Sequence, residues 1–197
     1  MLNRLRKRAA RLTDPVGRAI SRSGVGPNVV TCVGLIFGIS SAAMFGLGNQ
    51  PLAGLMLLVG GVFDMLDGAV ARASGRETRF GGFLDSTVDR YVDLLLFSGI
   101  IMGFITGTIQ EAAFMRGWGW AWGLAALSGS FMVSYVRARA ESAGSGRMDV
   151  GLMERAERLM VLGIGALLCA TDYAVLLVAI LSHLTVIQRI IEARRRL

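Results

Sequence analysis

Four aspartates, Asp64, Asp67, Asp85 and Asp89, fall within 26 residues, and all four border or enter strongly apolar stretches. A carboxylate carried into hydrocarbon is costly and usually functional. Asp64 and Asp67 are three apart and Asp85 and Asp89 four apart, so on α-helices each pair shares one face. Four converging carboxylates repel one another unless some are protonated or cations sit among them. Hard oxygen ligands in such number suit Mg²⁺ or Mn²⁺, with room for two ions. Two such ions would create a site for phosphates, as in phosphoryl-transfer chemistry. A single aspartate here would be better read as a helix cap or a partner for Arg72, Arg79 or Arg90; four at this spacing favour a shared site. Asp93, one turn past Asp89, either serves that site or pairs with Arg90.

The elements that must position these groups are apolar runs at 29–47, 51–71, 83–106, 118–136, 152–170 and 173–192. Each approaches the ~20 residues that cross a bilayer as helix. With 53% hydrophobic residues in 197, the chain is too apolar for an ordinary soluble domain. The expectation is an all-α integral membrane protein: one domain over 1–197, with six transmembrane helices (29–192) preceded by an amphipathic juxtamembrane helix (1–24). In the latter, Leu2, Leu5, Ala9 and Leu12 recur at near-helical spacing among arginines, a pattern that lies on an anionic membrane surface. No apolar core and cleavage site of a secretory signal follow it.

The formal charge of +7 could by itself suggest nucleic acid, but its distribution argues for a membrane. Of 21 Lys and Arg, 19 fall in the N-terminal segment, the second-to-third loop, the fourth-to-fifth region and the C-terminal end. Arg116 alone falls on the other side, and Arg90 lies within a helix. The positive-inside rule then puts both termini and the aspartates on the cytoplasmic face of the cell membrane. Cys32 and Cys169 sit in separate apolar runs and form neither a disulfide framework nor a zinc site. The lone His183 reads as a packing residue.

Glycines accompany the acids. Gly68, directly after Asp67, leaves one helix face bare, and Ala71 extends that small face by a turn. Gly81 and Gly82 open space before the third helix. Written with its spacing, the stretch is Asp64-x₂-Asp67-Gly68-x₂-Ala71-Arg72-x₈-Gly81-x₃-Asp85-x₃-Asp89. It resembles the signature of the CDP-alcohol phosphotransferase family at all eight positions. That resemblance implies a dimeric six-helix membrane enzyme that binds a CDP-linked donor and two divalent cations. An acceptor hydroxyl attacks the β-phosphate and CMP leaves. It implies metal ligation by Asp64, Asp67, Asp85 and Asp89, with Asp89 also the base on the acceptor hydroxyl. Gly68, Ala71 and Gly81 would make room for cytidine and pyrophosphate, with Asp67 beside them and Arg72 near the phosphates. In "GPNVVT", Pro27, Asn28 and Thr31 would help to hold the nucleotide.

The acceptor is suggested by downstream arginines. Arg137 near the end of the fourth helix, Arg155 and Arg158 at the start of the fifth and Arg189 near the end of the sixth converge on one end of the bundle. Arginine favours bidentate phosphate contacts, so an acceptor that is itself a phosphate ester fits better than serine or choline. The runs "SYVRARAE" and "ERAER" resemble the phosphatidylinositol-phosphate synthase branch of the family, whose archaeal members use CDP-archaeol in place of CDP-diacylglycerol. On that resemblance Ser134, Arg137, Arg155 and Arg189 would bind inositol 1-phosphate. The chain departs from that branch at Arg137, often lysine there, and at Ala156, where proline is expected.

Four other readings compete. Glycerol 3-phosphate is a rival acceptor, and a soluble CDP-inositol donor with an inositol phosphate acceptor a further variant. A divalent-cation transporter would also need intramembrane acids, but these lie near one interface and no polar path continues from them. A membrane anchor with a dead site finds no support while every signature position is intact.

Overall fold

The computed structural model describes residues 13–75 and 77–197, and every regular element among them is helical. Helix α1 covers residues 13–22. It is followed by α2 (Pro27–Gly46), α3 (Gln50–Ser74), α4 (Arg79–Ile105), α5 (Gly119–Ser142), α6 (Arg155–Leu167) and α7 (Thr171–Arg196), with a 3₁₀ turn at Ala113–Met115. The amphipathic face of Leu2, Leu5, Ala9 and Leu12 lies outside the described residues.

Local chemistry explains several boundaries. Pro27 opens α2, where its missing N–H costs nothing. Asn49 caps α3 by accepting from Leu52 N, and Gly75, at φ 63°, closes it in the left-handed conformation that favours glycine. Thr78 caps α4, accepting from Gly81 N at 2.9 Å. Only residues 75–78 lie between α3 and α4.

The six long helices close into a ring, in the packing order α2, α3, α6, α7, α5, α4 and back to α2. Close approach relies on missing side chains, as is usual where lipid gives helices no hydrophobic reason to associate. A Cβ on Gly54 would lie 2.9 Å from Ala166 Cβ, and one on Gly99 would fall on the Ala42 carbonyl. Gly34 and Gly38, four apart on α2, face Gly60 of α3 and Val92 of α4. Inside the ring, Phe45, Leu57, Leu96, Phe97, Ile100, Leu162, Val175 and Val178 form one buried apolar cluster. A smaller cluster of Val30, Leu66 and Val70 takes Ile20 from α1.

Large apolar side chains also point outward, among them Ile36, Val62, Met102, Ile180 and Ile187. The helices α2, α3 and α7 are long and apolar enough to cross a membrane. α4 and α5 are as long, with 27 and 24 residues, but α4 carries Asp85, Asp89, Arg90 and Asp93.

The fold differs from expectation in two respects. The apolar run at 152–170 yields a helix of only 13 residues, about 20 Å long at 1.5 Å per residue. Its beginning is diverted: Met148 and Met153 are buried as loop residues, while Leu152 N and Met153 N donate to Thr185 Oγ1 of α7 at 3.2 and 3.0 Å. The second concerns α3 and α4, which are consecutive and joined by a short turn. They scarcely touch; α2 lies against both on one side, and α6 packs on α3. The space kept open between two carboxylate-bearing helices becomes the site.

Candidate active site

A cleft between α2, α3, α4 and α6 is lined by Thr31, Asp64, Asp67, Asp85, Asp89 and Arg155 at its polar end. Below them it narrows among Gly34, Gly38, Gly60, Leu57 and Leu159. The acids come from two helices that are held apart, so their charges meet across the gap.

One carboxylate oxygen from each of Asp64, Asp67 and Asp85 lies within 4.8 Å of the other two. Such all-oxygen ligation by carboxylates fits a hard divalent cation and disfavours a soft one. Asp67 is the most enclosed of the signature aspartates, at 8% exposed. It is oriented by Thr31, whose Oγ1 donates to Asp67 Oδ2 at 2.7 Å and sits 3.2 Å from the Pro27 carbonyl. Asp85 accepts no hydrogen bond from any described residue.

Asp89 stands beside this trio, and a guanidinium fills the interval. Arg155 Nη1 donates to Asp64 Oδ2 at 2.6 Å, and its Nη2 is 3.0 Å from Asp89 Oδ1. Arg90 lies 3.9 Å from Asp89. A side chain expected on the acceptor phosphate thus spans two expected metal ligands. It supplies the positive charge that four acids in a confined space require. Cations entering between Asp64 and Asp89 would have to displace this fork.

The donor-side residues gather as expected in part. Thr31 meets Asp67 directly and Pro27 meets Thr31 through its carbonyl, whereas Asn28 is exposed at the start of α2. A Cβ on Gly68 would lie 3.4 Å from Arg72 Nη1, so the arginine lies over the bare face. Arg72 also pairs with Asp14 of α1 at 3.5 Å. Gly81 and Ala71 sit at the two helix ends flanking the reversal, Gly81 exposed.

The acceptor-side residues are only partly convergent. Ser134 of α5 accepts from Arg90 Nη1, which links it to the acid cluster. Arg137 pairs with Glu141 at 3.1 Å and approaches Asp149 at 4.0 Å. Arg189 is 2% exposed and fully engaged. Its Nε donates to Val150 O at 2.7 Å, Nη1 to Val133 O at 2.6 Å and Nη2 to Glu154 Oε1 at 3.1 Å. In this arrangement it ties the loop before α6 to α5. It could meet an acceptor only by releasing one of those bonds. Arg158, grouped in the sequence with the acceptor-side arginines, instead pairs with buried Asp93 at 3.0 Å. The available signal was spacing alone, Arg158 one turn from Arg155 and Asp93 one turn from Asp89.

A cleft lined by convergent carboxylates at one end of long apolar helices fits the class of transferases that work on phosphate esters through divalent cations. The sequence profile of the CDP-alcohol phosphatidyltransferase family matches residues 25–188, and the chain belongs to that family. Over 197 residues it is 42% identical to the archaetidylinositol phosphate synthase of Pyrococcus horikoshii, covering all of this chain and 98% of that one. It is 36% identical to the phosphatidylinositol phosphate synthase of Mycobacteroides abscessus, covering 96% of this chain and 86% of the relative. Among solved structures it resembles phosphatidylinositol phosphate synthase of Mycobacterium tuberculosis with CDP-DAG bound, at TM-score 0.77 and 34% identity. That match covers 93% of this chain and 94% of the other. The same enzyme in complex with manganese and citrate gives TM-score 0.78 at 33% identity, over 92% of this chain and 88% of the other.

Proposed function

We propose that the protein transfers a phosphatidyl-type group from a CDP-linked lipid, CDP-diacylglycerol or CDP-archaeol, to inositol 1-phosphate, releasing CMP. The observation that carries this is the trio of carboxylates within 4.8 Å, with Asp89 and Arg155 immediately beside it. Asp64, Asp67 and Asp85 would hold divalent cations, Mg²⁺ or Mn²⁺, two of them with Asp89 shared. When bound, such cations screen the diphosphate and make CMP a better leaving group.

The chain's own residues supply the remainder. Asp89 takes the proton of the acceptor hydroxyl as its oxygen attacks the β-phosphate, and the bond to CMP breaks. Thr31 keeps Asp67 turned toward the cleft. Pro27, Asn28, Gly68, Ala71, Arg72 and Gly81 form the donor's nucleotide side, where small residues admit a flat base. Arg155, once released from the acids, would turn its fork to the acceptor phosphate with Arg137 and Ser134. Arg189 joins them by giving up its bond to Glu154. The names of the relatives support an inositol phosphate acceptor, and the arginines favour a phosphate ester of either kind.

The same proposal places the chain in the cell membrane as six transmembrane helices, working as a homodimer. Its arginine-rich helix ends and both termini would face the cytoplasm. The deciding experiment measures CMP release by purified protein with both lipid donors, with and without Mg²⁺ or Mn²⁺. Inositol 1-phosphate, glycerol 3-phosphate, free inositol and serine are offered separately. Metal-dependent release with inositol 1-phosphate is expected; release with glycerol 3-phosphate alone would replace the acceptor, and release with none would sink the proposal.

A further inference from the structure

We infer that Asp93 is a positioning residue for the acceptor's phosphate; this rests on the proposed transferase function. Asp93 is 1% exposed, in the interior of α4, and lies outside the eight-residue signature. It faces three arginines. Arg158 Nη2 is 3.0 Å and Arg90 Nη2 3.5 Å from its Oδ2, while Arg155 Nε is 3.7 Å from its Oδ1.

Each of those arginines has a second attachment. Arg90 donates to Ser134 on α5, and Arg158 Nη1 reaches the Met153 carbonyl at 3.4 Å, just ahead of α6. Arg155 places its two Nη groups on Asp64 and Asp89. Its Nε is buried and has no hydrogen-bond partner. A buried donor left unmade costs free energy, so this geometry is not the one that best satisfies Arg155. A small movement toward Asp93 would close the Nε bond and leave the Nη1–Nη2 edge of the guanidinium free. That edge has the fork geometry that matches a phosphate. Asp93 therefore acts as a pivot. It holds the stem side of Arg155 whether the fork rests on the acids or on an acceptor, and through Arg90 it sets Ser134 on the opposite wall.

A purely structural alternative is that Asp93 merely neutralises Arg158, since a buried charge without its partner is strongly destabilising. Two variants separate these roles in the full-length protein in lipid nanodiscs. Asp93→Asn alone leaves Arg158 unpaired and should lower thermal stability. The double variant Asp93→Asn, Arg158→Gln restores charge balance in the core. Positioning predicts that the double variant regains stability but keeps a KM for inositol 1-phosphate raised on the order of 10–100-fold, as when supporting residues are lost around other sites. The donor KM should not change. Asp93→Glu, which retains the charge against Arg158, should raise the acceptor KM by less. Direct titration of inositol 1-phosphate by calorimetry should show the same loss of affinity without turnover.

If the acceptor KM and affinity return to wild type in the double variant, Asp93 only balances charge and the inference is overturned. Equal rises in donor and acceptor KM would overturn it as well, because the defect would then be general. Wild-type protein that releases CMP with neither inositol 1-phosphate nor glycerol 3-phosphate would instead remove the transferase function on which it rests.

Discussion

Asp172 and Asp64 are both carboxylates on helices long and apolar enough to cross a membrane, yet their partners differ in kind. Asp172 Oδ2 accepts from the backbone Ala112 N at 2.9 Å, while Asp64 Oδ2 accepts from the side chain of Arg155. The pattern extends over the two ends of the bundle. Where α3, α5 and α7 begin, Gln50 Oε1 accepts from Thr171 Oγ1 at 2.7 Å, Glu111 accepts from Gly117 N and Gly119 N, and Asn49 caps α3. Polar groups there satisfy loop and helix-end backbone that hydrocarbon would leave orphaned. At the opposite end, Thr78 and Thr185 already serve the backbone. The signature aspartates are left to Thr31, to one another and to the arginines Arg155 and Arg90. A carboxylate that bonds only other charged or hydroxyl side chains contributes little that an apolar residue could not. Its retention there is explained by what it can bind.

The sharpest test exchanges one acid at each end. Asp89→Asn keeps the shape and removes the proposed base, and CMP release should fall by about 10²–10⁴-fold. Its melting temperature should hold, because Asp64 and Asp93 still pair with Arg155. Asp172→Ala should do the reverse. Asp172 is 6% exposed, and leaving its partner Ala112 N unmatched should cost about 1–3 kcal/mol of stability. CMP release per folded molecule should not change. If Asp172→Ala lowered turnover while leaving thermal unfolding alone, the division between the ends would fail.

Overpacking offers a control that alters no polar side chain. Gly99 of α4 meets the Ala42 backbone of α2 so closely that any side chain must separate the helices. Gly99→Val should destabilise by about 1–3 kcal/mol, the usual range for forced insertion into a packed interface. Thermal unfolding should show this. A further loss of CMP release per folded molecule would mean that the α2–α4 contact sets the width of the cleft.

Much of this division was legible in the sequence, and the exceptions have physical causes. Local spacing alone placed Asp64 with Asp67 and Asp85 with Asp89, because helical periodicity fixes which side chains share a face. The caps at Pro27 and Thr78 are local too. Periodicity cannot tell whether two consecutive helices pack on each other, and the separation of α3 from α4 depends on α2 and α6 filling the flanks. The shortened α6 was equally hidden, since Met148 and Met153 are apolar whether they sit in a helix or plug a loop. Arg189 and Arg158 read as phosphate ligands or basic flank until long-range partners, Val133 O and Asp93, came into view. Asp93 stood undecided for the same reason: two of its three arginines arrive from α6.

The smallest effect expected concerns Arg72, a signature residue that also makes a pair of the structural sort. Its bond to Asp14 spans 3.5 Å, with the two side chains 50% and 46% exposed. Exposed pairs of this kind contribute about 0–1 kcal/mol, and salt screens them further. α1 is held to α3 chiefly by packing: a Cβ on Gly17 would lie 2.8 Å from Ala69 Cβ, and Ile20 enters the cluster of Val30, Leu66 and Val70. Asp14→Asn should therefore leave both melting temperature and CMP release nearly unchanged. Arg72→Gln removes the same pair and should match it in stability. If Arg72 also contacts the donor's phosphates, its loss should raise the donor KM severalfold, as expected for removing one charge-assisted bond of about 1.5–3 kcal/mol partly replaced by water. Identical kinetics in the two variants would assign Arg72 to the surface of α3 and remove it from the donor site.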